Sequence, residues 1–225
     1  IKKYFSDALN FGNISHSYLF VGKPGIGKKL FAKEIAKKIM CTGDENCESC
    51  KKFNTNSNPD FQIIQPDGKS IKIEQIRNMQ KKILEKPIIS SKKVYIIDNA
   101  DLMSEESQNC LLKTLEEPPE YAMIILIVSN ETRIIQTIKS RCVILKFEDL
   151  TKEELSKYLN IQDLDIIKLC DGSLEKAESI QEKKDIYYKL KDIANILEQK
   201  SLIEVLNNSE LLYNSKDDII DLLDY

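Results

Sequence analysis

The chain has 225 residues, of which 42% are hydrophobic and 31% charged, and its formal net charge is -3. This balance is typical of a soluble globular protein, and the longest apolar runs are far too short to cross a bilayer, which excludes membrane-spanning and disordered proteins. The sequence opens without the charged and apolar regions of a secretory signal, so we expect a cytoplasmic location.

The first half of the sequence alternates between strand-like apolar runs and helical periodicity. An amphipathic segment covers residues 1–11, and a polar segment over residues 54–60 is expected to form a mobile loop. The predicted strands are residues 18–21, 61–65, 94–97 and 123–128, and the predicted helices are residues 28–40, 73–85 and 104–117. Alternating strands and helices predict an α/β domain with a parallel, helix-covered sheet.

The strand signal ends after Phe147, and the rest of the sequence is helical by pattern. Thr151 and Glu154 have the spacing of a capping box at a helix start. Helices are predicted over residues 151–159, 163–170, 173–181 and 185–206, followed by a last amphipathic segment. Residues 1–150 carry a net charge of +4 and residues 151–225 one of -7. Pattern and charge together predict a domain boundary near residues 148–151.

The segment from Gly22 to Lys28 has the GxxxxGK spacing of a phosphate-binding P-loop, between a predicted strand and a predicted helix. In such a loop, backbone N–H groups around Gly22, Gly25 and Gly27 turn towards phosphate oxygens, and Lys28 reaches the β and γ phosphates. The next residue is Lys29, where nucleotide hydrolases place a Ser or Thr that ligates Mg²⁺. Two interpretations stay open: a nucleotide site impaired in metal-assisted hydrolysis, and a glycine-rich turn without nucleotide.

Asp98 ends the third predicted strand, at the place where the aspartate of a nucleotide hydrolase holds the Mg²⁺ shell. The following residue is Asn99, and an amide cannot take a proton from an attacking water as a Glu at that place would. A second group needed for hydrolysis is thus replaced. Asp98 is equally compatible with a local role, that of an acid capping the turn after a strand.

Four further strings of residues carry a resemblance to a known family. They are HSYLF at residues 16–20, DNADLM at 98–103, NCLLKTLEEPP at 109–119 and SRC at 140–142. They resemble the bacterial DNA polymerase III clamp-loader subunits of the AAA+ group, above all those of the delta prime type. The resemblance covers most of the chain, and the last two strings are the most specific.

The resemblance implies that Arg141 acts in trans. In this family the arginine of the Ser-Arg-Cys string enters the ATP site of a neighbouring subunit as an arginine finger, which stabilises charge on the transferred phosphoryl group. Arg141 is one of three arginines in the chain. Apart from the resemblance, a surface ion pair is the alternative interpretation.

Two more positions of the family can be compared with this sequence. The polar residue called sensor 1 follows the fourth predicted strand and falls at Ser129 or Asn130, and we assign Asn130 to the nucleotide site. The arginine called sensor 2 falls at Glu175, and an acid there would repel phosphate. Lys29 and Asn99 also disfavour hydrolysis by this chain, whereas the residue that acts on a neighbour is kept, as in a delta prime stator.

Three cysteines, Cys41, Cys47 and Cys50, have a spacing that resembles the four-cysteine zinc module these subunits insert into their first domain. The fourth ligand is expected at position 53, which is Phe53, and the only histidine is His16. Three thiolates with a carboxylate or a water would still hold Zn²⁺. The alternative is three reduced cysteines without metal.

The predicted architecture has three parts. Residues 1–149 form an AAA+ P-loop α/β domain with the cysteine insertion 41–50, residues 150–183 a small helical lid, and residues 184–225 the beginning of a truncated helical collar.

The resemblance implies a bacterial, cytoplasmic stator of the DNA polymerase III holoenzyme, without ATPase or polymerase activity of its own. It would bind ATP or ADP in a degenerate site, contact gamma/tau and delta subunits, and help to load the sliding clamp on primer–template DNA. Two alternatives stay open: a gamma/tau-like ATPase motor, favoured by the P-loop and Asp98, and a zinc-dependent nucleic-acid-binding module.

Overall fold

The computed structural model describes residues 1, 4–5, 7–8, 13–44, 46–160, 163–183, 185 and 188. The chain divides into two compact units, Ile1–Glu148 and Asp149–Tyr225. Across the described residues, no helix has the length and apolar character needed to cross a membrane.

A five-stranded sheet forms the centre of the first unit. Its strands are β1 (Ser17–Val21), β2 (Phe61–Ile64), β3 (Lys93–Ile97), β4 (Ala122–Val128) and β5 (Val143–Lys146). They lie in the order β2-β3-β4-β1-β5, and every neighbouring pair is parallel. All seven residues of β4 are buried, as expected for the central strand of a parallel sheet covered on both faces.

Helices cover both faces of this sheet. They are α1 (Lys28–Met40), α2 (Glu48–Asn54), α3 (Ile73–Ile83), α4 (Glu105–Glu116) and the short α5 (Gln136–Lys139). Successive strand residues point to opposite faces. Tyr18 and Phe20 of β1 therefore pack in the cluster that contains α1, whereas Leu19 packs in the cluster that contains α3, α4 and α5.

Every strand and helix predicted between residues 18 and 128 is confirmed, with ends that shift by two residues at most. The pattern missed α2, α5 and β5. The prediction of a mobile loop over residues 54–60 was wrong at its end, because Asn58 and Asp60 are buried and hydrogen-bonded. Residues 2–3, 6 and 9–11 of the predicted amphipathic segment lie outside the described residues.

The second unit contains three described helices, α6 (Lys152–Leu159), α7 (Leu164–Leu169) and α8 (Leu174–Glu182). The predicted capping box is confirmed, because Thr151 Oγ1 accepts a hydrogen bond from Glu154 N while Glu154 Oε2 accepts one from Thr151 N. A small apolar cluster that includes Leu155, Ile166 and Ile180 joins the helices.

The division into a lid and a collar stays a prediction. The predicted helix from residue 185 to 206, the last amphipathic segment and thus the predicted collar lie outside the described residues, apart from Asp185 and Tyr188.

Candidate functional site

The candidate nucleotide site lies at the carboxyl edge of the sheet. The P-loop, residues 22–28, follows β1, Asp98 follows β3, and Asn130 comes two residues after β4. Because β4 lies between β1 and β3 in a parallel sheet, these three segments come to the same edge. Ligands of open α/β sheets bind at this edge.

The P-loop glycines are required by the backbone geometry. Gly25 and Gly27 have φ angles of 74° and 90°, in the left-handed region that favours glycine. Gly22 is needed for a different reason, because a Cβ there would lie 2.6 Å from Ile26 Cδ1 and 2.7 Å from the carbonyl oxygen of Phe147. The loop therefore keeps its shape only with glycine at these positions.

The Lys28 side chain is folded into its own loop. It is buried, and its Nζ donates to the carbonyl oxygens of Gly22 and Lys23. Burial lowers the pKa of Lys28, and the nearby carboxylates of Asp101 and Asp98 partly oppose that shift. The ammonium thus lies inside the loop whose N–H groups would contact phosphate.

The N-terminus of α1 fits an anion. Its N-cap, Gly27, offers no side-chain acceptor, and its first turn contains no acid. The helix begins with Lys28 and Lys29, although the positive end of a helix dipole disfavours cations. Backbone N–H groups that no N-cap side chain accepts from, next to two lysines, form an arrangement that a bound phosphate stabilises. The residues present therefore fit the phosphate groups of a nucleotide.

They do not fit a Mg²⁺ ion. Lys29 Nζ lies 2.8 Å from Asp98 Oδ2, and Gln65 Nε2 donates to the same oxygen at 3.2 Å. Asp98 is buried, at 7% exposure, so this oxygen faces donors where a metal-dependent P-loop protein has a cation. Asn99 has a φ of 54°, a left-handed conformation that Asn adopts more readily than Glu.

The residues at the two sensor positions, Asn130 and Glu175, each stabilise the turn or helix in which they lie. Asn130 Oδ1 accepts hydrogen bonds from Thr132 N at 3.0 Å and Thr132 Oγ1 at 2.6 Å, and so caps the 3₁₀ turn Glu131–Arg133. Glu175 lies exposed in the first turn of α8, where a carboxylate interacts favourably with the helix dipole.

Arg141 joins two of the strings that carry the family resemblance. Its Nη2 forms an ion pair with Glu116 Oε1 at 2.7 Å, and its Nη1 donates to the carbonyl oxygen of Thr137 at 2.9 Å. About a third of the Arg141 side chain is exposed. The surface ion pair that was one interpretation of Arg141 is therefore present, and it leaves part of the Arg141 side chain accessible.

The neighbours of Arg141 fix its backbone. Ser140 is the C-cap of α5, and its Oγ donates to the carbonyl oxygen of Thr137. Cys142 packs against the core cluster of α3 and α4, and burial raises the pKa of its thiol to about 12. Cys142 therefore anchors the segment as a small apolar residue.

The three clustered cysteines lie close together in the structure. Their Sγ atoms are all within 4.8 Å of one another, and those of Cys41 and Cys47 are 3.9 Å apart. Backbone hydrogen bonds lower the pKa of Cys47, whereas burial raises that of Cys50. Within the described part of the chain, no fourth ligand residue joins this group. Phe53 instead packs against Phe61 in a tilted arrangement, with ring centroids 4.5 Å apart and an angle of 45° between the ring planes.

Three residues near these sites were not predicted. Gln65 could have been found, because it follows β2 at the edge where Asp98 follows β3. Asp101 and Glu116 lie within the family strings, but their partners, Lys28 and Arg141, are distant in sequence. Only the folded chain reveals those electrostatic interactions.

Curated relatives of this chain are subunits of bacterial DNA polymerase III. It is 39% identical over 169 residues to DNA polymerase III subunit delta' of Bacillus subtilis, a match that covers 73% of this chain and 51% of that protein. It is 32% identical over 216 residues to DNA polymerase III subunit gamma/tau of Mycoplasma genitalium, covering 92% of this chain and 34% of that protein. The chain thus spans about half the length of these relatives, or less.

Solved structures support the fold. The chain is similar to a DNA polymerase III gamma subunit-related protein of Thermotoga maritima, with a TM-score of 0.61 and 21% identity over 80% of this chain and 57% of that one. It is also similar to the RuvB Holliday junction branch migration motor of Thermotoga maritima, with a TM-score of 0.57 and 18% identity over 84% of this chain and 62% of that one. These likenesses show an AAA+ fold.

Most of the chain also matches a family model. The model described as "DNA polymerase III, delta subunit" matches residues 1–151, which contain the P-loop, the cysteine cluster and Arg141. This matched span is about two thirds of the sequence. The chain therefore belongs to the family of DNA polymerase III delta subunits.

Proposed function

We propose that this chain acts as a stator of the delta prime type in a bacterial DNA polymerase III clamp loader, in the cytoplasm. It contacts gamma/tau and delta subunits and supports ATP-driven loading of the sliding clamp onto primer–template DNA. Family membership and the identity to delta' of Bacillus subtilis support this role.

One observation carries the proposal: Lys29 is ion-paired with Asp98 at 2.8 Å, at the place where hydrolysis needs Mg²⁺. Asn99 provides no carboxylate to activate water. Arg141, in contrast, is retained with about a third of its side chain exposed, and in this proposal it acts on another subunit. The chain is therefore unable to hydrolyse ATP itself but able to assist a neighbour.

The site keeps the residues that would hold a nucleotide. The backbone N–H groups of residues 22–28 and the ammonium of Lys28 would bind the phosphates of ATP or ADP. The nucleotide would supply the negative charge that the two lysines at the start of α1 attract. Asn130 and Asp98 lie at the same edge of the sheet.

The test has two parts. The isolated protein with ATP and Mg²⁺ should show no turnover above background. In a clamp loader reconstituted with gamma/tau and delta subunits, Arg141→Ala should lower ATP turnover at the adjacent site by about 10³-fold or more if the arginine acts as a finger.

Arg77→Ala is the matched control, because Arg77 is an exposed arginine on α3. This variant should leave turnover of the complex unchanged. Unchanged turnover with Arg141→Ala, or an equal loss with Arg77→Ala, would contradict the proposed role of Arg141.

A gamma/tau-like ATPase motor is the second candidate function. The match to gamma/tau of Mycoplasma genitalium favours it, since that match covers 92% of the chain. The motor predicts hydrolysis by the isolated protein at the rates of P-loop ATPases. The first part of the test therefore decides between the two candidates.

We also propose that Cys41, Cys47 and Cys50 hold a Zn²⁺ ion through their thiolates, with a water or a carboxylate as the fourth ligand. Tetrahedral zinc with Zn–S bonds of about 2.3 Å needs sulfurs about 3.8 Å apart. The distance between Cys41 Sγ and Cys47 Sγ, 3.9 Å, supports this geometry.

Metal analysis of the purified protein tests the zinc proposal. One zinc per chain is expected, and Cys47→Ser should lose it, whereas Cys110→Ser on α4 should keep it. Absence of zinc from protein purified without chelators would contradict the proposal. Zinc together with salt-sensitive DNA binding by the lone chain would instead support a nucleic-acid-binding module.

A further inference from the structure

Lys29 and Asp98 occupy the two positions at which a metal-dependent P-loop protein holds Mg²⁺, and in this chain they are bonded to each other. Lys29 is the second residue of α1, and Asp98 directly follows β3. The distance between Lys29 Nζ and Asp98 Oδ2 is 2.8 Å, which is that of a charge-assisted hydrogen bond. The cation required by Asp98 is therefore supplied by the protein.

Because Asp98 is buried, its carboxylate needs the contact with Lys29. Its side chain is 10% exposed, and a buried carboxylate without a partner is costly. Its Oδ2 forms an ion pair with Lys29 Nζ and accepts a hydrogen bond from Gln65 Nε2 at 3.2 Å. A metal ion is not needed to stabilise this carboxylate in the folded chain.

The Lys29 ammonium also remains available to a ligand. Its side chain is 40% exposed. An ammonium has three N–H donors, and the contact with Asp98 takes one of them. It lies one residue from Lys28, at the N-terminus of a 13-residue helix that lacks a side-chain cap. The Lys29 ammonium can therefore contact an oxygen of a polyphosphate bound at this helix start.

We propose that the Lys29 ammonium takes the place of Mg²⁺ in this P-loop, so that the site binds a metal-free nucleoside diphosphate or triphosphate. Mg²⁺ requires oxygen ligands in a near-octahedral shell, and an ammonium has no lone pair to offer. A Mg²⁺ ion on the phosphates would lie beside the positive charge of Lys29 and be repelled. The inference rests on the proposed nucleotide site, but not on the proposed role of Arg141.

Calorimetric titration of the isolated protein with ADP tests this inference, once with excess EDTA and once with excess Mg²⁺. ADP should bind in EDTA, and Mg²⁺ should leave the affinity unchanged or lower it. This order is opposite to that of a metal-dependent P-loop. Binding that requires Mg²⁺, or no binding in either buffer, overturns the inference.

Three variants sharpen the test. Lys29→Thr should bind ADP about tenfold more weakly in EDTA, the effect of losing one charge-assisted contact, and should recover affinity when Mg²⁺ is added. Lys29→Arg keeps the cation and should still bind ADP in EDTA. Lys33→Thr removes the same charge one turn further along α1 and should behave as the unmodified protein does in both buffers.

The outcomes separate this inference from the proposed function. If Lys29→Thr binds ADP as the unmodified protein does in both buffers, Lys29 has no role as a metal substitute and the inference fails. The thermal transition of Lys29→Thr, followed by circular dichroism, verifies that the variant is folded. Lys29→Arg is an independent test, because loss of ADP binding in EDTA by this variant would also contradict the inference. Failure of the proposed function would show in a different assay, as unchanged ATP turnover of the reconstituted complex with Arg141→Ala.

Discussion

At the scale of single residues, Asp60 shows how a buried carboxylate can organise a loop. Its two oxygens accept hydrogen bonds from three successive backbone N–H groups, those of Ile88, Ile89 and Ser90, at 2.8 to 3.0 Å. We predict that Asp60→Ala lowers the free energy of unfolding by about 2 to 3 kcal/mol, because the N–H groups lose a charged acceptor. Urea unfolding measures this change.

Asp67→Ala is the control for this prediction. Asp67 is an exposed aspartate that pairs with Lys72 at 2.6 Å, and exposed pairs contribute little to stability. Asp60→Asn, which retains one carbonyl oxygen as acceptor, should fall between the unmodified protein and Asp60→Ala. Equal unfolding curves for the Asp60→Ala and Asp67→Ala variants would contradict the structural role of Asp60.

The pair of Glu116 and Arg141 gives a second prediction at this scale. For Arg141 to reach a nucleotide on another subunit, its contact with Glu116 at 2.7 Å must be released or shared. We predict that Glu116→Gln, which removes the charge of the partner, keeps or raises ATP turnover by the reconstituted complex. The same assay gives a loss with Arg141→Ala. A loss of similar size with Glu116→Gln would show that Glu116 is needed to position the guanidinium.

At the scale of elements, the start of α6 depends on a reciprocal cap. Thr151 and Glu154 satisfy each other's backbone N–H groups at 3.2 and 2.9 Å. We predict that Thr151→Ala destabilises this helix by about 1 kcal/mol, because one N–H group at the helix start loses its acceptor. Amide hydrogen exchange across residues 152–159 measures the effect. Thr151→Ser keeps the hydroxyl and should exchange nearly as slowly as the unmodified protein, and equal exchange rates for the Ala and Ser variants would contradict the role of the cap.

The predictability of elements from the sequence follows their burial. The strand over residues 122–128 and the helix over residues 28–40 gave strong patterns, because their apolar residues face a core with a fixed period. The strand β5 was missed because it lies at the sheet edge, with alternate residues exposed. The helix α2 was missed because it has only seven residues.

The candidate site was predictable in a different way. The P-loop and Asp98 follow from spacing and from their position after strands. The contact of Lys29 with Asp98 and that of Arg141 with Glu116 depend on how far long side chains reach in the folded chain, which no sequence period encodes. The sequence was therefore sufficient to locate the site residues. Which of their charges pair with one another is visible only in the structure.

At the scale of the whole molecule, the first compact unit contains nearly every residue of the candidate site. The P-loop, Asp98, the cysteine cluster and Arg141 all lie within Ile1–Glu148. Both faces of its sheet are covered by apolar clusters formed from that unit. A domain of about 150 residues buries enough apolar surface to fold alone. The unit should therefore hold its site geometry without the rest of the chain.

Two fragments of the chain should therefore differ in how they unfold. A fragment of residues 1–148 should unfold in a single cooperative thermal transition, measured by circular dichroism, and a fragment of residues 1–140 should not. The shorter fragment lacks β5, which pairs with β1 from Tyr18↔Val143 to Val21↔Lys146. Its loss would turn the buried strand β1 into an open edge, which favours aggregation.

The loss of Phe147 explains why the difference between the fragments should be large. The Phe147 ring packs 5.1 Å from Phe20 and 5.6 Å from Phe31 by centroid distance, and its backbone N–H donates to the carbonyl oxygen of Val21 at 2.7 Å. Its carbonyl oxygen also lies against Gly22, so the P-loop depends on the same residue. If both fragments unfold alike, or if residues 1–148 show no cooperative transition, β5 and Phe147 do not complete an independent unit.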